Sequence, residues 1–475
     1  MIDAFDGLFA MTRPAFSQER TYERARRLAI SSLVGLGRKT ITGMLCAGSQ
    51  QFEDWTASYR LFERERFDKK ALFEPVRRTV LEHLPSQEPI VAIMDDTLVH
   101  KRGRKISGTS WRRDPLGPPF CTNFIWGQRF LQVSAALPEH GALGGARGIP
   151  IDLVHAPSPR KPRKNASPEL WDIYRQEQKQ TKISAIGKQR FHAMRAWLDN
   201  EQYGIERKLI VAVDGGYTNR EMMRNIPHDT IVIGRIRKDA KIYNSPKQIA
   251  HGRKGRPRWY GDALPTPEQL RQDQSIAWIP VSAHGAGKIH VFEVKTIDVV
   301  RWLGTGDKDV RIVIVRPLAY RPHKGAHLLY RDPAYLICTD PTLPLDRLLQ
   351  AYLWRWEIEL NFRDEKTLLG MGQAQVRTEA AVEAVPSLIV ATYAFMLLAA
   401  LRSSMQSQLL PLPKWRNCHA EERPSTSRII NVMRSQLWGR AMSRNLPHFV
   451  SDIHHDINRV KIDNPALIAA CYSSQ

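Results

Sequence analysis

Pro89-Ile-Val-Ala-Ile-Met-Asp95-Asp96-Thr97 is an apolar, β-branched run that gives way abruptly to two carboxylates. Such a run predicts a short buried strand starting at Pro89 and stopping at Asp95–Thr97. A second run of the same kind, Lys208-Leu-Ile-Val-Ala-Val, ends at Asp214-Gly-Gly. Further strands are expected at Phe130–Ala136, Ile149–His155 and Thr230–Ile236, with a long helical stretch from Pro168 to Asn200 before Lys208. The resulting β-β-β-α-β-α-β alternation implies an α/β sheet. A carboxylate at the end of a buried strand is well placed to hold a cation, although Asp is also a common turn and cap residue.

Outward from this centre the composition changes character. Residues 1–86 show apolar positions at helical spacing, as in Tyr22-Glu-Arg-Ala-Arg-Arg-Leu-Ala-Ile, and read as an arginine-rich helical domain. Residues 239–335 carry basic loops (His251–Arg258) and alternating strands (Ile289–Thr296, Val310–Val315), and read as a β-rich insertion. Helix returns from Leu345 to Leu369. Ala384–Leu401 has 18 residues without a charge, at the lower edge of a membrane span. Pro386, Ser387 and Thr392 within it, and its isolation in a polar chain, predict a buried core helix instead. The tail, from Leu412 to Gln475, is basic and helical in places.

The helix around Glu359 reads Tyr352-Leu-Trp-Arg355-Trp-Glu-Ile-Glu359-Leu-Asn-Phe-Arg-Asp-Glu-Lys366. At 100° per residue, Tyr352, Arg355, Glu359 and Lys366 fall within roughly 60° of one another. An apolar stripe of Leu349, Leu353, Trp356 and Leu360 beside them is expected to anchor the helix and aim the polar row at the sheet edge.

The bulk numbers agree with a partner made of phosphates. Seventy Lys and Arg against 48 Asp and Glu give a net charge of +22, which favours a polyanion because each phosphate contact releases counterions. The basic segments Lys101–Arg113 and Arg235–Arg258 suit backbone binding. Five scattered cysteines without a C-x-x-C pair fit reduced thiols in a cytoplasm rather than a disulfide framework or zinc site. No signal peptide is read at Met1, and Gly35-Leu-Gly-Arg-Lys-Thr40 lacks the P-loop spacing.

With these residues in view, the sequence resembles bacterial insertion-sequence transposases of the DDE type, in the branch marked by a Y-(2)-R-(3)-E-(6)-K signature. Tyr352, Arg355, Glu359 and Lys366 match that spacing without a gap. Leu368-Leu-Gly-Met-Gly-Gln-Ala-Gln-Val-Arg377 also looks familial. The resemblance implies a ribonuclease-H-like catalytic core (87–238 and 336–405) interrupted by the β-rich insertion (239–335), with a helical N-terminal DNA-binding domain (1–86) and a small helical C-terminal region (406–475).

It implies catalytic and metal-binding roles for Asp95, Asp214 and Glu359, with Asp96 as the alternate to Asp95. Tyr352, Arg355 and Lys366 would contact DNA phosphates. Two Mg²⁺ ions per site are implied, Mn²⁺ substituting. The implied partners are double-stranded DNA, as terminal inverted repeats and target, and a second copy of the chain in a synaptic homodimer, with no membrane. A stacking Trp is a family feature for which Trp278 and Trp302 are candidates. The expected activity is cleavage at transposon ends and strand transfer; the alternatives are an inactive DNA-binding descendant and a two-metal nuclease that does not join strands.

Overall fold

The computed structural model describes residues 1–445 apart from 115–116, 119, 140, 142, 247–257, 324, 404–408 and 413–422. Most of the C-terminal region and of the His251–Arg258 loop lies outside the described residues. The chain begins with helices α1 (Ile2–Ala10), α2 (Glu19–Val34), α3 (Ile41–Ala47), α4 (Thr56–Glu63) and α5 (Glu74–His83). Strands β1 (Ile90–His100), β2 (Ser110–Arg113), β3 (Phe124–Pro138) and β4 (Ala146–His155) follow. Then come α6 (Pro168–Gln180), α7 (Ile183–Asn200), β5 (Leu209–Val213), α8 (Arg220–Met223) and β6 (Thr230–Arg235).

The β-rich stretch supplies β7 (Ile242–Asn244), α9 (Pro267–Gln272), β8 (Ile279–Gly285), β9 (Lys288–Trp302) and β10 (Asp309–Val315). The small pair β11 (Ala319–Tyr320) and β12 (Leu329–Tyr330) precedes β13 (Ala334–Cys338). The rest is helical: α10 (Leu345–Trp354), α11 (Glu357–Thr367), α12 (Glu379–Arg402) and α13 (Thr426–Asn445).

Strands β1, β5 and β6 lie parallel and side by side. A strand covered on both faces must be apolar throughout, and all five residues of β5 are buried. Strand β3 pairs antiparallel to β1 and carries β4. This is the ribonuclease-H-like plan expected from the sequence. The sheet does not end there. Strand β13 pairs with β6, β10 with β13, and β9 with β10, so the strands of 239–335 extend the same sheet.

Three expectations need correction. Strand β1 does not stop at Asp95–Thr97; only its pairing with β5 stops there, at Met94↔Val213, while its ladder with β3 runs on to His100↔Gly127. The Pro168–Asn200 helix is two helices broken at Thr181–Lys182. The Leu345–Leu369 helix is also two, broken at Arg355–Trp356.

Alternation along the strands sends side chains to two cores. Ala92 and Met94 of β1, with Val211 and Val213 of β5, face a core shared with the N-terminal helices and α12. Val91 and Ile93, with Ile210, face a second core built with Leu348, Leu349 and Trp354 of α10 and Ile358 and Phe362 of α11. Helix α12 is long and apolar enough to span a membrane, yet 94% of its most apolar window is buried inside the protein. Helices α1, α2, α4 and α5 pack against it, as do α11 and β4.

Candidate active site

The parallel register decides what meets at the sheet edge. Met94 and Val213 are partners, so the next residues, Asp95 and Asp214, stand side by side where the β1–β5 pairing ends. Period-two alternation puts Asp95 on the face of Val91 and Ile93, and Asp214 on the face of Ile210. Both therefore point to the side covered by α10 and α11. Asp96 points the other way, where it accepts two hydrogen bonds from Arg129 (2.6 and 3.0 Å) and one from the Tyr217 hydroxyl (2.6 Å).

Glu359 lies in the first turn of α11. Ile358 and Phe362 press that helix into the second core. Asn361 locks it across the sheet: its amide donates to the Gly148 carbonyl (2.9 Å) and its carbonyl accepts from Ser134 Oγ (2.9 Å). At the break between α10 and α11, Arg355, Trp356 and Glu359 each donate to the carbonyl three residues back, a tightened 3₁₀-type turn.

That turn brings the Arg355 guanidinium, largely buried, between two carboxylates. It sits 3.5 Å from Asp95 Oδ2 and 3.4 Å from Glu359 Oε1, and 5.9 Å from the Tyr352 ring centroid. Tyr352, Arg355 and Glu359 are thus gathered beside Asp95 and Asp214. Lys366 is not; it lies two helical turns beyond Glu359, its ammonium 5.9 Å from the Phe362 ring centroid.

Electrostatics reflect crowding of like charges in a poorly solvated place. Burial pushes the Asp95 carboxyl up to about 7; the Asp96 backbone N–H and Arg355 oppose that, and the charges of Asp96 and Asp214 add to it. Burial also raises Glu359, against the pull of Arg355. Arg355 itself is raised: burial works to lower it and is outweighed by Tyr352, Asp95, Glu359 and Asp214. Burial raises Tyr352 and lowers Lys366.

Asp95, Asp214 and Glu359 offer only oxygen donors, without sulfur or imidazole, the chemistry that suits Mg²⁺ or Mn²⁺. Among the described residues no three Asp, Glu, His or Cys side chains converge at metal-ligating spacing. The Arg355 cation offsets the carboxylates' mutual repulsion in that arrangement. The donor chemistry fits a hard divalent ion.

The expected apolar stripe is another correction. Leu349 is buried, but Trp356 is 57% exposed, because the break rotates it out of the core. Trp354, Ile358 and Phe362 are the anchors. Trp356 is thereby an exposed indole with the Arg355 guanidinium 5.9 Å from its ring centroid, a feature no sequence signal marked. Trp278 and Trp302 pack against the cores instead; Trp278 has the Lys295 ammonium 4.6 Å from its ring centroid.

A family model described as DDE superfamily endonuclease matches residues 13–285, more than half of the chain, and takes in Asp95 and Asp214. No curated protein matches the chain. Enzymes of this family are nucleases that act on DNA and generally use divalent metals. Two aspartates side by side where the β1–β5 pairing ends on a ribonuclease-H-like sheet, within the matched segment, agree with that match: the chain belongs to the DDE superfamily endonucleases.

Proposed function

We propose that this DDE endonuclease is an insertion-sequence transposase of the Y-(2)-R-(3)-E-(6)-K branch, which nicks DNA at the element's ends and joins the freed 3′ ends to target DNA. The observation that carries the reading is the turn at Arg355, which gathers Tyr352, Arg355 and Glu359 over Asp95 and Asp214. A generic nuclease needs the carboxylates but not this row.

In this reading Asp95, Asp214 and Glu359 would hold two Mg²⁺ ions, which supply charge neutralisation at the phosphoryl oxygens and lower the pKa of the attacking water or 3′-hydroxyl. Asp95 is preferred to Asp96 because it faces Glu359, whereas Asp96 is engaged by Arg129 and Tyr217. Arg355 exchanges its carboxylate contacts for a bidentate grip on a DNA phosphate, while Lys366 acts farther along as a point charge. Tyr352, packed against Arg355, limits the directions that guanidinium can take. None of these contacts reads sequence. Residues 1–86 are the proposed readers of the terminal repeats, and two copies of the chain would pair two DNA ends.

The test is incubation with DNA bearing the flanking inverted repeats and Mg²⁺, following nicking and joining separately. Asp95→Asn, Asp214→Asn and Glu359→Gln proteins should bind this DNA yet lose roughly three orders of magnitude in cleavage. Asp96→Asn should retain cleavage and lose about 2 kcal/mol of stability, read from a urea midpoint, because it weakens a charged hydrogen-bond set. Full activity in Asp214→Ala or Glu359→Ala protein would overturn the mechanism. Cleavage without joining would leave a nuclease, and binding without cleavage an inactive descendant.

A further inference from the structure

Away from the carboxylates lies an open groove of about 980 Å³ between three chain segments that are distant in sequence. Arg38 comes from the α2–α3 loop, His100, Arg102, Arg104 and Lys105 from the end of β1 and the loop after it, and Arg377 from the segment following α11. No carboxylate lines the groove. All six side chains are exposed, and none has an ion-pair partner among the described residues. Isolated surface cations usually sit near acids; here like charges are held together, which is unfavourable until a polyanion arrives.

The walls are fastened to one another. Buried Lys101 donates to the Gly372 carbonyl (2.6 Å), Ser107 N–H donates to the Arg377 carbonyl (3.0 Å), and Lys39 N–H donates to Gln373 Oε1 (2.8 Å). Gly372, at φ +89°, lies against Val99, and Gly370, at φ +71°, against Lys39. The two glycines of the Leu368–Arg377 stretch therefore hold the third wall in contact with the other two. The groove is built rather than a chance meeting of loops.

Its position is set by two elements that carry active-site candidates, β1 with Asp95 and α11 with Glu359. From Asp95, in the middle of β1, the extended chain continues to His100 and on to Lys101, six residues or roughly 20 Å. Helix α11 runs from Glu359 past Lys366 towards the Gly370–Arg377 segment. About 20 Å is the rise of about six base pairs along the axis of a DNA duplex.

We propose that this groove grips the sugar–phosphate backbone of duplex DNA about six base pairs from the phosphate that is cut, without reading its sequence. This rests on the reading of the chain as a DNA-cleaving enzyme and adds a second, separable contact to it. The groove would fix how far the duplex extends past the carboxylates and along which line, which the Arg355 contact alone does not determine.

The test uses full-length protein and a labelled 30-base-pair duplex of arbitrary sequence, titrated across a salt series. Replacing Arg102, Arg104 and Lys105 together by Ala should weaken binding on the order of tenfold or more at 0.1 M salt. It should also flatten the slope of log K against log salt by about 2 to 3. Arg377→Ala alone should flatten it by about 1. Triple replacement of Arg160, Lys161 and Arg163, a basic strap elsewhere, is the control and should change the slope by less. Parent-like slopes in the groove variants, an equal effect in the control, or no binding by the parent protein would each overturn the proposal.

Cleavage of repeat-bearing DNA, measured in parallel, separates the two readings. A parent that binds through the groove but never cuts leaves the groove intact and removes the proposed function. A parent that cuts, with groove variants that bind and cut alike, does the reverse.

Discussion

Glu365 shows how far burial can override the ordinary chemistry of a carboxyl. It is completely buried, six residues after Glu359, and its Oε1 accepts a hydrogen bond from Gln132 Nε2 (2.9 Å). Its Oε2 has no partner among the described residues, nor has Gln132 Oε1. Two unpaired acceptors in one place imply a proton on the acid. Burial pushes Glu365 up to about 8, against the Gln132 hydrogen bond and Lys366. Below its ordinary value of 4.5 the group is protonated whether the chain is folded or not, so it contributes no pH dependence. Between there and about 8 the unfolded chain ionises while the folded one keeps its proton, so stability falls as pH rises; above about 8 the loss levels off. Glu365→Gln removes that slope. Its unfolding free energy from urea titration should gain on the parent's between pH 5 and pH 8, by about a few kcal/mol in total. Parallel profiles for the two proteins would show that Glu365 ionises in the folded state.

Single elements differ in how much their residues reveal. Strands β1, β5 and β6 were legible because parallel strands covered on both faces leave continuous apolar runs, and the aspartates that end the β1–β5 pairing are visible as a change of character. Alternation would also have separated Asp95 from Asp96, had the packing of α10 and α11 on one face been known. The break at Arg355–Trp356 was not legible. Neither residue is Pro or Gly, both keep right-handed helical backbone, and the turn is stabilised by tertiary contacts that the local pattern does not carry. The role of Trp356 was misread for the same reason.

The glycines after α11 were visible, but not their purpose. At Gly372 a Cβ would meet Val99 Cγ1 at 2.1 Å on a backbone at φ +89°, so Gly372→Ala should lose about 2–4 kcal/mol in thermal or urea unfolding. Gly7, inside α1 with nothing within 4 Å of its added Cβ, gives the opposite sign: Gly7→Ala should gain up to about 1 kcal/mol. Similar behaviour of the two variants would refute the close approach of Gly372 to β1.

At the scale of the whole molecule, the question is whether residues 1–86 form a detachable domain. Helix α12 is apolar on every side, and a helix of that kind needs cover all round. Helices α1, α2, α4 and α5 provide the outer part of that cover; Phe9 meets Phe395 edge-on with ring centroids 5.7 Å apart. Phe5, Leu8, Phe9, Leu28 and Phe62 are buried in the same core as Met94, Val213 and the α12 residues. Removing 1–86 would expose the flank of a hydrophobic helix that also supports α11, and so the Glu359 segment. A fragment comprising 87–475 should therefore be aggregation-prone, bind a hydrophobic dye and lack a cooperative melt. A tethered reader domain predicts a different result: a soluble fragment that melts cooperatively and cuts DNA without regard to the terminal repeats. Solubility, circular dichroism and dye binding of that fragment distinguish the two. If the shared core governs, substitutions that loosen the packing of Phe9 on Phe395 should lower cleavage and DNA binding together, because the N-terminal helices and the Glu359 helix both rest on α12.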